Sequence, residues 1–189
     1  MGSDSGDKDT FFEIYEEYFI GAYSDIVIFT SEKPLMVLNE FEGAFTHLMK
    51  YQMEDDPDIN LKKAKGHIFR ATLDCYKMLW RETHSVVSEI DMYRGAYEKD
   101  EKTLVNSLYQ WDEISMKARL AEHNSVGSED VDILNLWKEA ARLSLEIYKS
   151  VNKTSLKKLK RKAKYEGPFK AYVFPVILAV AAFLLGKFI

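Results

Sequence analysis

The fold is decided by residues 59–93, which read INLKKAKGHIFRATLDCYKMLWRETHSVVSEIDMY. Apolar side chains recur in this stretch at spacings of three and four, at Ala64, Ile68, Ala71, Cys75 and Met78. That spacing places them along one side of an α-helix. The stretch therefore predicts a long amphipathic helix from about Ile59 to Tyr93, preceded by a loop at 55–58.

Shorter stretches with the same periodicity lie on both sides of it. They run from residue 9 or 10 to about Ser31, from Pro34 through Leu48, from about Glu101 to Glu122, and from Ser128 through Tyr148. The β-branched run at 26–30 also fits a short strand, an alternative that propensity alone leaves open. Short loops place successive helices side by side, so we expect an all-α antiparallel bundle of four to five helices.

Composition excludes several other classes of protein. With 189 residues, of which 47% are apolar and 30% charged, the chain can bury a core. Four prolines and nine glycines are too few for the many turns of a sandwich or barrel. One cysteine, Cys75, forms no intramolecular disulfide, and with four scattered histidines it supplies no zinc ligand set. We therefore expect neither a metal nor a cofactor.

Charge is distributed unevenly along the chain. Residues 153–164 carry seven basic side chains and no acidic one, whereas the first 152 residues contain 17 basic and 29 acidic residues, a net charge of -12. A body this acidic repels the phosphates of duplex nucleic acid, so we expect no such partner. The basic run is expected to have a partner of its own.

An apolar segment follows the basic run. Residues 171–189 read AYVFPVILAVAAFLLGKFI, and as a helix they would extend about 28 Å, close to the ~30 Å of a hydrocarbon core. Basic residues beside such a span favour the cytosolic side and attract anionic headgroups. We therefore predict a single-pass tail anchor with a cytosolic N-terminal domain. The residues predicted to contact the membrane are Lys157, Lys158, Lys160, Arg161, Lys162, Lys164 and Lys187.

These features divide the chain into four parts. We expect a disordered N-terminus at 1–9, an acidic cytosolic helical bundle at 10–152, a basic juxtamembrane segment at 153–168 and a transmembrane tail at 169–189. A buried C-terminal helix of a soluble bundle is the alternative for the tail, because a run of this length can also be core. The tail is apolar on all sides from Val173 to Leu185, which favours lipid.

Polar residues form a second stripe on the long helix. Their spacings alternate between four and three, and the stripe consists of Lys63, His67, Arg70, Asp74, Lys77, Arg81 and His84. One interpretation is a solvated face with Arg70–Asp74 and Asp74–Lys77 pairs. The functional interpretation is an anion pocket in which Arg70 and Lys77 hold a phosphate and His67 transfers a proton. That interpretation requires a neighbouring helix to cover the stripe.

Two short stretches pair an arginine with a histidine. They are Arg119-Leu-Ala-Glu-His123 and Arg81-Glu-Thr-His84. The pairing resembles that of the HEPN ribonucleases, helical bundles in which an Arg and a His cleave RNA, although their spacing is longer than either pair here. The resemblance covers at most five residues. It implies an alternative function as a helical hydrolase or nuclease, with His67, Arg70, Asp74, Arg119 and His123 as the candidate catalytic residues.

Motifs for other chemistries are missing from the sequence. No histidine follows a glutamate at the spacing of a di-iron bundle, and neither a P-loop nor a dinucleotide-binding string occurs. We therefore predict a tail-anchored membrane protein rather than an enzyme. Its helical domain is expected to bind a partner or signal and to act at the membrane as an effector or adaptor, through oligomerisation.

Overall fold

Five helices make up the part of the chain that the computed structural model describes, residues 10–53, 56–94, 102–125 and 130–151. Helix α1 covers residues 10–30, with a π-helical turn at Ile14–Phe19 followed by a regular helix at Ile20–Thr30. The other four are α2 at Leu35–Gln52, α3 at Pro57–Met92, α4 at Lys102–Asn124 and α5 at Val131–Ser150. The all-α prediction is confirmed for the described ranges, which contain five helices.

Helix α1 settles the question of a strand at 26–30. The β-branched run continues the helix to Thr30, and Ser31 ends it in the left-handed region with φ of 59°. Upstream, the π-helical turn changes the register of the side chains, so that the adjacent Tyr18 and Phe19 are both buried. The strand alternative is therefore wrong.

Local chemistry explains where α3 and α5 begin. Pro57 occupies the first turn of α3, where its missing N–H costs no helical hydrogen bond. Helix α5 begins at Val131 because the Asp130 side chain accepts a hydrogen bond from the Asp132 backbone N–H at 2.9 Å. The helix start predicted at Ser128 lies outside the described ranges.

Helix α3 is the central element of the bundle. It packs against α1, α2 and α5, while α4 packs mainly against α5. Helices α2 and α3 run in opposite directions, because Glu40 and His47 of α2 contact His67 and Asn60 of α3 in reverse order. The antiparallel arrangement follows from short connections between neighbours.

Two apolar clusters form the core. The larger contains Ile14, Ile68 and Trp137 and joins α1, α2 and α3 to α5, with Ala118 of α4 at its edge. The smaller contains Ile90 and Leu108 and joins the end of α3 to α4 and the end of α5. A buried hydrogen bond of 2.5 Å between the hydroxyls of Thr83 and Ser144 connects α3 to α5 near the boundary of the two clusters.

The membrane prediction concerns another part of the chain. Within the described ranges, no helix is both long enough and apolar enough to cross a membrane. The predicted N-terminal segment at 1–9, the basic segment at 153–168 and the tail at 169–189 lie outside those ranges.

Candidate functional site

Neighbouring helices cover only part of the polar stripe on α3, and its Lys63, Arg70 and Arg81 stay exposed. At its N-terminal half the stripe meets α2, where the Glu40 carboxylate accepts hydrogen bonds from His67 Nδ1 at 2.8 Å and from Arg70 Nε at 2.9 Å. Next to them, the His47 imidazole stacks on that of His67 with 5.4 Å between ring centroids. His47 Nδ1 in turn bonds Asn60 Oδ1 at 2.7 Å. We call these five residues the α2–α3 polar cluster.

Gly43 makes room for this cluster. A Cβ atom at position 43 would lie 2.9 Å from both Nδ1 and Cε1 of His67. Any side chain there would therefore push the imidazole away from Glu40. Glycine in a helix interior costs about 0.5–1 kcal/mol of stability relative to alanine. The close approach of the His67 ring to α2 therefore lowers the stability of α2 by about that amount.

Polar contacts orient both histidines of the cluster. His47 donates through Nδ1 to the Asn60 carbonyl oxygen, which can only accept. His67 Nδ1 lies 2.8 Å from Glu40 Oε2 and 2.9 Å from Arg70 Nη2, so these three side chains contact one another. Burial opposes ionisation of Glu40, but the hydrogen bonds from His67 and Arg70 outweigh it and hold the pKa of the carboxyl below its usual value. The cluster therefore contains an ionised acid, a fixed cation and two oriented imidazoles.

The middle of the stripe faces α4 and α5. Lys77 Nζ donates to Glu122 Oε1 at 2.7 Å and lies 5.8 Å from the centre of the Trp137 ring. Burial raises the pKa of Asp74, which lies between Arg70 and Lys77 on the stripe. Neither predicted pair, Arg70–Asp74 or Asp74–Lys77, forms: each cation bonds a carboxylate of a neighbouring helix instead. Arg70 bonds Glu40 of α2 and Lys77 bonds Glu122 of α4, so both cations extend away from Asp74.

The end of the stripe contributes to an aromatic cluster. His84 packs on Trp80 at 4.3 Å and on Trp111 at 5.6 Å between centroids. The Arg119 guanidinium lies 5.5 Å from the centre of the Trp80 ring. Burial and the charge of Arg119 both lower the pKa of His84, which favours the neutral imidazole. The structure thus brings together one member of each Arg/His pair found in the sequence.

The remaining candidate residues are not brought into these clusters. His123 and Lys63 are exposed, and Arg81 lies 3.7 Å from Glu82 beside it. Arg119 Nε donates to the Ser115 carbonyl rather than to His123. In the described ranges, no group of three or more acidic, histidine or cysteine side chains could hold a metal ion.

A groove lies between α1 and α5. It has a volume of about 320 Å³, with Tyr76 and Leu79 of α3 at its floor. Glu17 and Asp25 line the α1 wall, and Lys138 and Arg142 line the α5 wall. A hydrogen bond of 3.1 Å from the Tyr18 hydroxyl to Asn135 also joins α1 to α5. The volume is in the range of small-molecule sites.

Comparisons with protein-family models, with curated proteins and with solved structures found no match to this chain.

Proposed function

We propose that this chain is a single-pass membrane protein whose helical body faces the cytosol and acts as an effector or adaptor. The observation that carries the proposal is the apolar segment 171–189 that follows, after six intervening residues, a stretch with seven basic residues at 153–164. A segment of this length suits a bilayer, and its single lysine, Lys187, can reach the headgroups.

The charge distribution supports a defined orientation. Each lysine or arginine close to an anionic leaflet contributes about 1 kcal/mol of attraction. The acidic body is repelled by the same surface, so it would extend away from the membrane while the basic segment lies along it. This separation leaves the body free to bind a partner.

The surface of the body supports a binding role. The groove between α1 and α5 offers an apolar floor between walls of opposite charge, which suits a small ligand or a side chain of a partner. Ligand-driven self-association would then cluster the membrane segments, whose Ala179, Ala181 and Ala182 allow close packing of helices. An adaptor that only recruits another protein needs the same groove and membrane segment, but it does not need self-association.

Carbonate extraction tests the anchor. Membranes from cells that express the full chain, a chain ending at Gly167, and a full chain with Leu178→Arg and Ala181→Arg would be washed at alkaline pH. We expect the full chain alone to stay in the pellet, because two central arginines cost several kcal/mol in the bilayer. Release of the full chain by carbonate would contradict the proposal.

A helical hydrolase or nuclease is the second candidate, favoured by the convergence of His84 and Arg119 on Trp80. A neutral imidazole can act as a general base, and a guanidinium can hold a phosphate. RNA cleavage by the chain ending at Gly167 would be compared with His84→Ala and Arg119→Ala. The exposed Arg81→Ala serves as the control. Cleavage lost only in the first two variants would establish this candidate, and no cleavage by the parent chain would reject it.

A further inference from the structure

Helix α2 exposes an unusual amount of apolar surface. Phe45, Met49 and Met53 are 55%, 48% and 73% exposed and lie one turn apart on one side of the helix. The partly buried Leu38 and Phe41 continue the same side. We call these five residues the α2 stripe. Exposed apolar patches of this kind mark interaction sites, and methionines adapt to the shape of a partner.

The rest of the described bundle leaves Phe45, Met49 and Met53 of this stripe exposed. Among the described helices, α2 packs extensively only against α3, through its opposite side. At one border of the stripe the Phe41 ring stacks on Phe19 of α1 with 5.2 Å between centroids. An apolar helix laid along the stripe would therefore meet α2 and the aromatic edge of α1.

We infer that segment 171–189 of this same chain docks on the α2 stripe in water and leaves it when a bilayer is present. The inference rests on the proposed function and adds a regulatory step to it. As a helix the segment would be about 28 Å long, and the 18 residues of α2 extend about 27 Å. The two helices can therefore lie side by side over their full length.

The connection between them is long enough. Val151 packs against the cluster that contains Val87 and Ile90 of α3, about 30 Å along that helix from Ile68. The 19 residues from 152 to 170 can extend to about 60 Å. These residues include eight basic side chains and one acidic side chain, and they would pass along a body with a net charge of -12, which favours this path.

Covalent attachment decides between occupants. Attachment through residues 152–170 would hold the segment near the stripe at an effective concentration in the millimolar range, far above that of a second copy in solution. Docking would also cover part of an apolar helix that otherwise faces water on all sides. The stripe and the bilayer then compete for the same segment.

Cross-linking of the full chain tests this inference. The variant with Met49→Cys and Val180→Cys would be synthesised without membranes and treated with a bismaleimide. Cys75 adds no background because it is fully buried and burial raises its pKa to about 12. The control pairs Val180→Cys with Met116→Cys on α4, which is 54% exposed. We expect about ten-fold more intramolecular product in the first variant, and loss of that product when anionic vesicles are added.

Other outcomes separate the two proposals. Equal yields in both variants, or products formed only between chains, would overturn docking, and the second result would assign the stripe to another copy. A carbonate-resistant chain that never cross-links would overturn docking and keep the anchor. A cross-link that persists with vesicles, in a chain released by carbonate, would keep docking as a core contact and overturn the anchor.

Charge on the stripe provides a second measurement. The full chain with Phe45→Glu and Met49→Glu would no longer hold the segment, so we expect a several-fold larger fraction to sediment as aggregate in the membrane-free synthesis. Met116→Glu with Leu120→Glu, at similarly exposed positions of α4, is the control. Equal sedimentation of the two double variants would contradict docking.

Discussion

At the scale of residues, the contact between Gly43 and His67 is a balance of two terms. Alanine at position 43 would stabilise α2 by about 0.5–1 kcal/mol, but its Cβ would lie 2.9 Å from the imidazole. Overpacking of a fixed side chain costs about 1–3 kcal/mol. His67 is fixed by Glu40 and by stacking on His47, so the second term is the larger.

We therefore predict that Gly43→Ala lowers the free energy of unfolding by about 1 kcal/mol in the parent. In a His67→Ala background the same change should raise it by about 0.5–1 kcal/mol. Urea denaturation of the chain ending at Gly167, followed by circular dichroism, measures both effects. A stabilising Gly43→Ala in the parent would mean that His67 is not held as described.

Glu40 and Asp74 should respond to pH in opposite directions. The pKa of Glu40 is lowered, so its ionised form stabilises the fold above its usual value of 4.5, and this contribution is lost as the pH falls through the folded value. The pKa of Asp74 is raised by burial, so its ionised form opposes folding at neutral pH and protonation relieves the cost.

From these signs we predict that Glu40→Gln unfolds at lower urea than the parent at pH 7 and that Asp74→Asn unfolds at higher urea. Both differences should shrink as the pH is lowered to about 3. Urea midpoints across that range provide the measurement. Differences that do not change with pH would show that packing, rather than charge, causes them.

The polar cluster shows what sequence reasoning misses at this scale. Glu40 is 27 residues from His67, and His47 is 13 from Asn60, so these pairs exist only once α2 packs on α3. A signal was nevertheless present. Glu40, Gly43 and His47 share one face of α2, and a helix-interior glycine between two polar residues indicates a close approach.

At the scale of elements, helix α1 ends at a residue whose backbone conformation is strained and would suit glycine better. Ser31 has φ of 59°, a conformation that costs residues with a Cβ about 1 kcal/mol or more. We predict that Ser31→Gly raises the free energy of unfolding by about 0.5–1 kcal/mol. Ser24→Gly, at an exposed site within the same helix, should lower it by a similar amount. Thermal unfolding compares the two, and the same sign for both would refute the explanation.

The contact between α3 and α5 depends on a buried hydroxyl pair. Thr83 also donates to the Leu79 carbonyl, whereas Ser144 has Thr83 as its partner within the described ranges. Thr83→Val should therefore cost about 1–3 kcal/mol, because it leaves a buried hydroxyl unpaired. Ser144→Ala should cost less, and adding it to Thr83→Val should recover stability. Additive losses in a double-mutant cycle would contradict this coupling.

Hydrophobic periodicity was sufficient to predict the helices but not their details. The long helix predicted from Ile59 to Tyr93 is present as Pro57–Met92. The apolar spacing in its interior and the proline at its start both favour a helix there. The π-helical turn at Ile14–Phe19 has no comparable sequence signal. The sequence also left open a strand at 26–30, where burial of Ile26 against the bundle decides for helix.

At the scale of the whole molecule, the sequence separates into a packed acidic body and a basic, apolar C-terminal part. The apolar core of the body is built around α3, yet Phe45, Met49 and Met53 of the α2 stripe stay exposed. The C-terminal part carries charge and hydrophobicity in the order that suits a membrane surface and its interior. These two surfaces, rather than a catalytic group, are the features on which the proposed function depends.

Protease protection measures most directly whether segment 171–189 spans a bilayer. The full chain would be inserted into anionic vesicles and digested from outside with trypsin, which can cut at the many basic residues up to Lys170. We predict that the body and basic segment are degraded while a fragment beginning at Ala171 is protected until detergent is added. Digestion at Lys187 without detergent, or recovery of the whole chain in solution, would contradict the account.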